Sequence, residues 1–355
     1  MSQSKNKFLP LLQEEISLDN IGNKELDDII KEACYHELHC ALYNNLNKGK
    51  TSKFSLHNRL RNTYILNIGK NLSAKHEFEK INKAFAASSI KTIPIKGMSL
   101  LYDIYPDLES RCLVDIDLLV KKENLYKSRN ILFSLGYKET LYPFSESYYL
   151  KNHCHLPFKN KLIVELHWAL AKPTPYVIRL PCLWERLTNI KSDRNDISFL
   201  SPEDTIFSLV LHLRRFNKPF SLKYVYDIHK IIEKYKEKLD WKYLAEYSRL
   251  NRLNSVMYYM LFYVKTMFGQ PISSKTLNMF YPGILRAALL KFSIRKVKNK
   301  GVLILIKHPC LKKLTYTFLR YLFYDRLTDF INFIILMPGK ELNSFCNIRF
   351  PYKKI

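Results

Sequence analysis

The sequence predicts an α+β protein in which a small mixed β-sheet lies between N-terminal helices and a helical C-terminal lobe. Three observations predict this fold class. Residues Phe54–Ser88 lack proline and repeat apolar side chains at helical spacing. Short β-prone runs follow at Lys91–Ile95 and at Leu113–Val120. From Ser201 to about Tyr324, nearly every stretch has a helical pattern.

The predicted sheet is built from short segments that turn signals separate. Lys96-Gly97 ends the first strand. The helical stretch Glu123–Leu135 is followed by Gly136, a residue type that commonly stands just past a helix C-terminus. Further strands are predicted at Tyr137–Tyr142 and Lys161–Leu170. The irregular order of strands and helix indicates a mixed α/β sheet and not a repeat array.

Three regions are predicted along the 355 residues: an N-terminal helical region 1–88, an α/β core 89–175 and a helical C-terminal lobe 176–355. The second boundary is placed at the clearest break in the chain, a group of prolines at positions 173, 175 and 181. Ser201-Pro202-Glu203-Asp204 then begins a helix, with serine at the N-cap, proline at the first position and acids in the first turn.

The chain is strongly basic, with a formal net charge of +25 from 57 basic and 32 acidic side chains. Such a surplus favours polyanionic partners, namely nucleic acid, nucleotides or an acidic membrane surface. Alternatively, the richness in Lys and Asn reflects a biased genome. Between Arg286 and Lys354, aromatic and basic residues interleave, which is typical of an RNA-binding face but also of an amphipathic helix that packs its aromatic side chains inward. Packing is the favoured interpretation.

Seven cysteines are scattered along the chain and form no CxxC pair, which predicts free thiols in a reducing compartment. Met1–Leu12 has no signal-peptide core. The apolar stretch Phe330–Met337 is too short to span a bilayer. We therefore expect a cytoplasmic protein without a transmembrane segment.

Asp115-Ile116-Asp117 is the most informative tripeptide. On a strand, residues i and i+2 point to the same face, so both carboxylates project together. Two like charges this close repel each other unless a cation bridges them, and Mg²⁺ prefers hard oxygen ligands. The pair therefore predicts a bivalent metal site. The alternative is two solvent-facing acids on an edge strand.

The surrounding sequence favours the metal interpretation. Lys96-Gly97 ends a strand and precedes a helix whose free N–H groups can face a phosphate. Glu165 lies in the apolar strand Leu162–Trp168, where burying a carboxylate is costly unless it is paired or coordinated. Three carboxylates on adjacent strands, with a glycine turn before them, suit two-metal phosphoryl transfer.

An ordered series of motifs covers roughly residues 80–235: Ile93–Tyr102, Tyr105-Pro106, Arg111, Asp115–Val120, Leu135-Gly136-Tyr137, His155–Phe158, Glu165–Trp168, Leu200–Asp204, His212 and Tyr224–Ile228. This series resembles a poorly characterised branch of the polymerase-β-like nucleotidyltransferases. The resemblance implies the nucleotidyltransferase fold and transfer of an NMP group from an NTP to an acceptor hydroxyl, phosphate or side chain, with Mg²⁺ or Mn²⁺.

The resemblance also implies site residues. Asp115 and Asp117 match the two metal ligands, and Glu165 matches the third acid, which is a metal ligand or the base that takes the acceptor proton. Lys96 and Gly97 occupy the nucleotide-phosphate turn. The superfamily usually has Gly-Ser or Gly-Gly in that turn. Here Met98 follows Gly97, and Ser99 comes one place later.

Arg111 lies four residues before Asp115. Its planar fork either binds the γ-phosphate or braces the carboxylates. Asp227, in a helical stretch, is expected to pair with Arg214 or Arg215 and to lock the helical lobe.

His153, His155 and His167 invite a zinc interpretation. However, no second ligand pair with the usual spacing follows them, so structural histidines are favoured.

Three functions remain open at this point: an active nucleotidyltransferase, a degenerate module that binds nucleotide or RNA without chemistry, and a toxin-like transferase that modifies tRNA. The presence of all three acids favours the enzyme. Its acceptor is a small molecule, a peptide or protein, or RNA. The chain has no GxxxxGK[ST], GxGxxG, GxSxG or HExxH motif, which counts against kinases, dehydrogenases, hydrolases and zinc proteases.

Overall fold

The computed structural model describes residues 7–16, 21–48, 54–105, 107, 110–141, 144–173, 177–191, 196–215, 220–300 and 309–335. The helices are α1 Phe8–Leu12, α2 Asn23–Tyr35, α3 His39–Lys48, α4 Phe54–Ala87, α5 Lys96–Asp103, α6 Leu125–Ser134, α7 Glu146–Asn152, α8 Pro202–Arg215, α9 Lys223–Tyr235, α10 Trp241–Leu250, α11 Asn254–Phe268, α12 Ser274–Asn278, α13 Ile284–Lys300, α14 Pro309–Phe323 and α15 Leu327–Ile335. The strands are β1 Ile93–Ile95, β2 Ile116–Leu119, β3 Lys138–Glu139, β4 His155–Lys159, β5 Ile163–His167, β6 Thr188–Lys191 and β7 Asp196–Phe199. Among the helices of these ranges, none combines the length and the apolar character needed to cross a bilayer.

Five strands form one mixed sheet in the order β1-β2-β5-β4-β3, and β6 and β7 form a separate hairpin. Strands β2 and β5 run parallel, whereas the other neighbours in the five-stranded sheet are antiparallel. The small mixed sheet among many helices confirms the predicted α+β class.

The two central strands bury one apolar face completely. Ile116 and Leu118 of β2 lie beside Val164 and Leu166 of β5 in a core that includes Phe78, Ile81 and Phe85 of α4. Because side chains alternate along a strand, the intervening residues Asp117 and Glu165 project from the opposite face. The long helix α4 therefore packs against the apolar face of the sheet. The acidic face points to the opposite side.

Helix boundaries agree closely with the sequence-based expectations. Helix α4 covers the predicted stretch, and α6 ends just before Gly136, whose φ is +84°. Ser201 caps α8, since its Oγ accepts a hydrogen bond from the Asp204 N–H at 3.1 Å.

Several strands differ from the expectations. Strand β2 begins only at Ile116, so Asp115 lies in the preceding loop. Strand β4 was not predicted, because Pro157 and the polar ends of the segment His155–Lys159 weaken its β-pattern. The β6–β7 hairpin lies inside the region predicted to be helical, and its short polar strands give little periodic signal.

The N-terminal and C-terminal helices share one hydrophobic core. Phe8 of α1 and Leu42 of α3 belong to the same buried cluster as Phe207 of α8, Tyr259 of α11 and Phe323 of α14. In the basic C-terminal stretch, Tyr316, Phe323 and Tyr324 are buried and Phe318 is 46 % exposed. Inward packing of these aromatic side chains therefore accounts for most of the pattern in 309–335.

A buried ion pair joins the α/β core to this helical assembly. The Nε and Nη2 atoms of Arg111 donate to the two carboxylate oxygens of Asp227 on α9, at 3.0 and 2.9 Å. Tyr105 O–H donates to the same carboxylate at 2.8 Å. The side chains of Arg111 and Asp227 are only 6 % and 1 % exposed. Asn71 on α4 donates to the Arg111 carbonyl at 2.8 Å, so this one residue ties together α4, the loop before β2 and α9.

Asp227→Asn should lower the free energy of unfolding by about 3–5 kcal/mol, because it leaves the guanidinium of Arg111 buried without a counter-charge. Urea denaturation followed by circular dichroism measures the change. Asp28→Asn is the control, since Asp28 and its partner Lys31 are 63 % and 59 % exposed and the loss there should stay within about 1 kcal/mol. Equal effects of the two substitutions would contradict the structural role of Arg111.

Gly97 follows β1 at the place where the Arg111 side chain crosses the turn. A Cβ atom on Gly97 would lie 2.5 Å from Nη1 of Arg111 and 2.7 Å from Cδ2 of Leu113. A flexible arginine would move aside, but Asp227 holds this one through two hydrogen bonds. The turn therefore requires glycine because of close approach and not because of its φ angle.

Gly97→Ala should destabilise the protein by about 1–3 kcal/mol, the usual range for overpacking. Gly69→Ala is the matched control, because Gly69 lies within α4 and nothing is within 4 Å of its added Cβ. Alanine at that helical position should stabilise the protein by about 0.5–1 kcal/mol. Thermal denaturation of both variants gives the comparison, and a neutral Gly97→Ala would show that Arg111 is free to shift.

Candidate active site

Strand register brings two of the three predicted acids side by side. Asp117 of β2 lies directly opposite Glu165 of β5 in the parallel ladder, and Ile95 of β1 is the antiparallel partner of Asp117. Neighbouring residues on adjacent strands share a face, so the two carboxylates project together. Lys96 comes directly after Ile95 and reaches the same place.

Two cationic side chains contact the carboxylates. Lys96 Nζ lies 2.6 Å from Asp117 Oδ1 and 3.6 Å from Glu165 Oε2. His167 Nε2 lies 2.9 Å from Asp117 Oδ1 and 3.2 Å from Glu165 Oε2. His155 Nε2 adds a longer contact, 3.7 Å from Glu165 Oε1. The described cluster therefore balances two negative charges with two positive ones when His167 is protonated.

The pKa values agree with this charge balance. Burial and the ammonium of Lys96 lower the pKa of His167, but its hydrogen bonds, among them those to Asp117 and Glu165, outweigh both and raise the pKa to about 10. Burial raises the pKa of Asp117, but Lys96 and His167 more than offset it and leave the pKa below its usual range. The pKa of Glu165 is likewise lowered, against burial, by His167, His155 and Lys96. At neutral pH both acids are ionised and His167 carries its proton.

Asp115 has the opposite behaviour. Burial, followed by the charges of Asp117 and Glu165, raises the pKa of Asp115 to about 7, although Lys96 opposes the shift. Among the described residues, no hydrogen bond to a cation is found for Asp115, and carboxylates that repel one another in this way favour a bound cation.

The turn that carries Lys96 is backbone-strained. Lys96 has φ +52°, in the left-handed region that non-glycine residues seldom adopt. Such strain persists only where the surroundings enforce it, and here the ion pair with Asp117 does so. Helix α5 starts at this residue, and its first-turn N–H groups carry the partial positive charge of a helix N-terminus.

The structure brings Lys96, Asp117 and Glu165 together, and Asp115 lies in the loop that leads into β2. Metal binding and catalysis by these acids stay predictions. Ser99 is 3 % exposed within α5. Arg111 does not brace the carboxylates of the site, because its fork holds Asp227. Binding of nucleotide by Arg111, Ser99 and Gly97 stays a prediction.

Asp227 was expected to pair with Arg214 or Arg215. The structure shows Arg111 as its partner, and the side chains of Arg214 and Arg215 lie outside the described residues.

Sequence reasoning missed the place of His167 in the acidic cluster and treated it as a structural histidine. The available signal was alternation, since Glu165 and His167 are two residues apart on one strand and so share a face. His155 is the cross-strand partner of His167 and joins the same face. Nitrogen and sulfur atoms of Cys154, His155 and His167 lie within 4.8 Å of one another, but His167 is already bonded to both acids.

A cavity of about 410 Å³ opens farther along the same face of the sheet. Its lining includes Leu119, two residues beyond Asp117, and the rings of Trp168 and Trp184. Lys122 and Lys151 supply positive charge at the lining. The space is mostly apolar with a few charged groups, which is the usual character of a small-molecule site.

Donor atoms of Asp117, Glu165 and His167 lie within 4.8 Å of one another. The oxygens of the two ionised carboxylates are the hard ligands that Mg²⁺ prefers. The residues present therefore fit a divalent cation that displaces Lys96 from Asp117.

Comparison with known proteins gives one family. A model of a family described as uncharacterised nucleotidyltransferase matches residues 22–269, which include the whole five-stranded sheet and helices α2–α11 up to its C-cap. No curated protein matches the chain. The match covers more than half of the 355 residues and contains every acid of the site, and the chain therefore belongs to this nucleotidyltransferase family.

Proposed function

We propose that the protein transfers an NMP group from an NTP to an acceptor, using a divalent cation held by Asp115, Asp117 and Glu165. The register of Asp117 opposite Glu165, with the Lys96-Gly97 turn at the end of the neighbouring strand, is the observation that carries the proposal. Membership of a nucleotidyltransferase family supports the reaction class.

Mg²⁺ or Mn²⁺ bound by these acids would neutralise phosphate charge and lower the pKa of an acceptor hydroxyl. Glu165 is better suited to ligation than to proton abstraction, because its lowered pKa makes it a weak base. Asp115, with a pKa of about 7, is the acid of the three that can accept a proton near neutral pH.

Lys96 and the start of α5 are proposed to bind the phosphates. The ammonium lies next to both acids, and the free N–H groups of the first helical turn attract anions. His167 holds Asp117 and Glu165 in one arrangement through a shared hydrogen-bond donor. Its role is to position the carboxylates.

The cavity beside Leu119 is proposed to receive the acceptor. It lies on the sheet face that bears the acids, and its two tryptophan rings offer flat apolar surfaces. Lys122 and Lys151 favour an acceptor that carries negative charge.

One observation favours a second candidate, a module that binds nucleotide without chemistry. Lys96 Nζ lies 2.6 Å from Asp117, where a metal ion would compete with it. If Lys96 keeps this position in the presence of nucleotide, the acid it holds is not free to bind a metal.

Asp117→Asn and Glu165→Gln should each reduce NMP transfer at least a hundredfold while the protein stays folded, since His167 can release its proton and the remaining acid then balances Lys96. Transfer is measured with each α-labelled NTP, Mg²⁺ or Mn²⁺, and total RNA plus cell lysate as acceptors. The destination of the label identifies the acceptor class.

Asp329→Asn is the matched control for these variants. Asp329 is also a buried acid, 3 % exposed, and pairs with Arg252 at 2.8 Å far from the sheet. It should retain transfer. If the wild type transfers no label but calorimetry detects NTP binding, the binding module is correct and the enzyme is not.

The affinity for Mg²⁺ should be about tenfold tighter at pH 8 than at pH 6, because Asp115, with a pKa of about 7, is mostly protonated at the lower pH and ionised at the higher one. Isothermal titration of the metal-free protein measures both affinities. Asp115→Asn should bind more weakly at pH 8 and show a smaller difference between the two pH values. Equal affinities in the wild type would argue against Asp115 as a ligand.

A further inference from the structure

Three side chains with sulfur or nitrogen donors meet at the start of helix α3. His39 and Cys40 begin helix α3, and Cys112 lies in the segment that leads into β2. Cys112 Sγ is 3.4 Å from Cys40 Sγ and 3.5 Å from His39 Nε2. The two cysteines are 72 residues apart in the sequence, so no short motif predicts that they are in contact.

The two thiols have different surroundings. Cys40 is fully buried, with 0 % exposure, whereas Cys112 is only partly buried. A reagent from solvent therefore reaches Cys112 first. Cys40 lies behind it, already in contact with the sulfur that would react.

The pKa values of the two thiols also differ, and the more exposed Cys112 has the lower one. The hydrogen bond with Cys40 lowers the pKa of Cys112, burial opposes this, and His39 lowers it further. The same hydrogen bond raises the pKa of Cys40, and burial adds to the rise. Both shifts favour the thiolate at Cys112, the more exposed of the two cysteines. Nucleophilic cysteines commonly have a lowered pKa and some access to solvent.

We propose that Cys112 and Cys40 are a redox-active pair that closes to an intramolecular disulfide on reaction with a small disulfide such as oxidised glutathione. The Cys112 thiolate attacks one sulfur of the glutathione disulfide, whose S–S bond breaks and releases one glutathione thiolate. Cys40 then loses its proton to solvent, and its sulfur attacks Cys112 Sγ and displaces the second glutathione thiolate. Two protein thiols are oxidised, and one glutathione disulfide is reduced.

Closure would change the geometry next to the acidic site. The sulfur atoms must approach from 3.4 Å to about 2.05 Å. Cys112 follows Arg111 directly and precedes Asp115 by three residues. The disulfide therefore fastens helix α3 to the segment that carries both residues. This inference does not depend on the proposed function, because the bond itself is the readout.

The same donor atoms also suit a soft metal such as zinc, since all three lie within 4.8 Å of one another. Structural zinc sites almost always have four ligands. Only three donors are found here within the part of the chain that the structure describes, and the contact between the two sulfurs is direct. The thiol pair therefore fits the geometry better, and a zinc site becomes an outcome of the test.

The experiment uses the full-length protein, reduced, freed of reductant and incubated with oxidised glutathione. After free thiols are blocked with iodoacetamide, trypsin should release residues 32–48 joined to residues 112–121, two hydrogens lighter than the sum of the peptide 112–121 and the peptide 32–48 alkylated at Cys34 alone. Dithiothreitol should separate them. Peptide 32–48 also contains Cys34, so the Cys34→Ser variant must give the same cross-link, now assignable to Cys40 alone.

Two further variants test the order of attack. Cys40→Ser should accumulate a mixed disulfide between glutathione and Cys112, and Cys112→Ser should give no cross-link and at least tenfold less glutathione on Cys40. Circular dichroism of both variants verifies that they fold. The proposal is overturned if folded wild type keeps both thiols free, or if the protein as purified holds one zinc per chain that Cys112→Ser loses.

Discussion

The buried pair of Arg111 and Asp227 is the interaction on which the arrangement of this protein depends. A guanidinium with 6 % exposure must have a counter-charge, and Asp227 on α9 supplies it. Through that bond, the loop before β2 is held against the helical assembly. The same guanidinium also lies so close to position 97 that a side chain with a Cβ atom would clash with it, which explains the glycine there. The Lys96-Gly97 turn and the loop before β2 are therefore both fixed by one side chain.

Local patterns predicted much of the fold. The repeat of apolar residues predicted α4 and α6, and the serine, proline and acids at 201–204 predicted the start of α8. These predictions succeeded because the signals that specify a helix lie only a few residues apart. The acids of the site were also predictable, since Asp117 and Glu165 are unusual in apolar strands. Family resemblance added their shared role. Strands β4, β6 and β7 were missed because their residues are polar or contain proline, and their pairing is decided by distant partners.

Local sequence patterns could not predict contacts between residues that are far apart in the sequence. Arg111 meets Asp227 across 116 residues, and Cys40 meets Cys112 across 72. A single sequence gives no reason to prefer these partners over the many other acids and thiols in the chain. His167 is an intermediate case. Its position on the strand was readable, but its contact with Asp117, 50 residues away, required the parallel register of β2 and β5.

The cations that surround Asp117 and Glu165 have a consequence for how the protein would handle metal. Lys96 and His167 balance Asp117 and Glu165 internally, so these two acids need no metal ion to compensate their charge. An incoming divalent ion must displace part of that internal charge, which weakens its net binding. Such an ion would arrive and leave with each nucleotide, in contrast to structural zinc, whose removal unfolds small domains. Without nucleotide, the protein would then hold no metal ion, because Lys96 and His167 already neutralise Asp117 and Glu165.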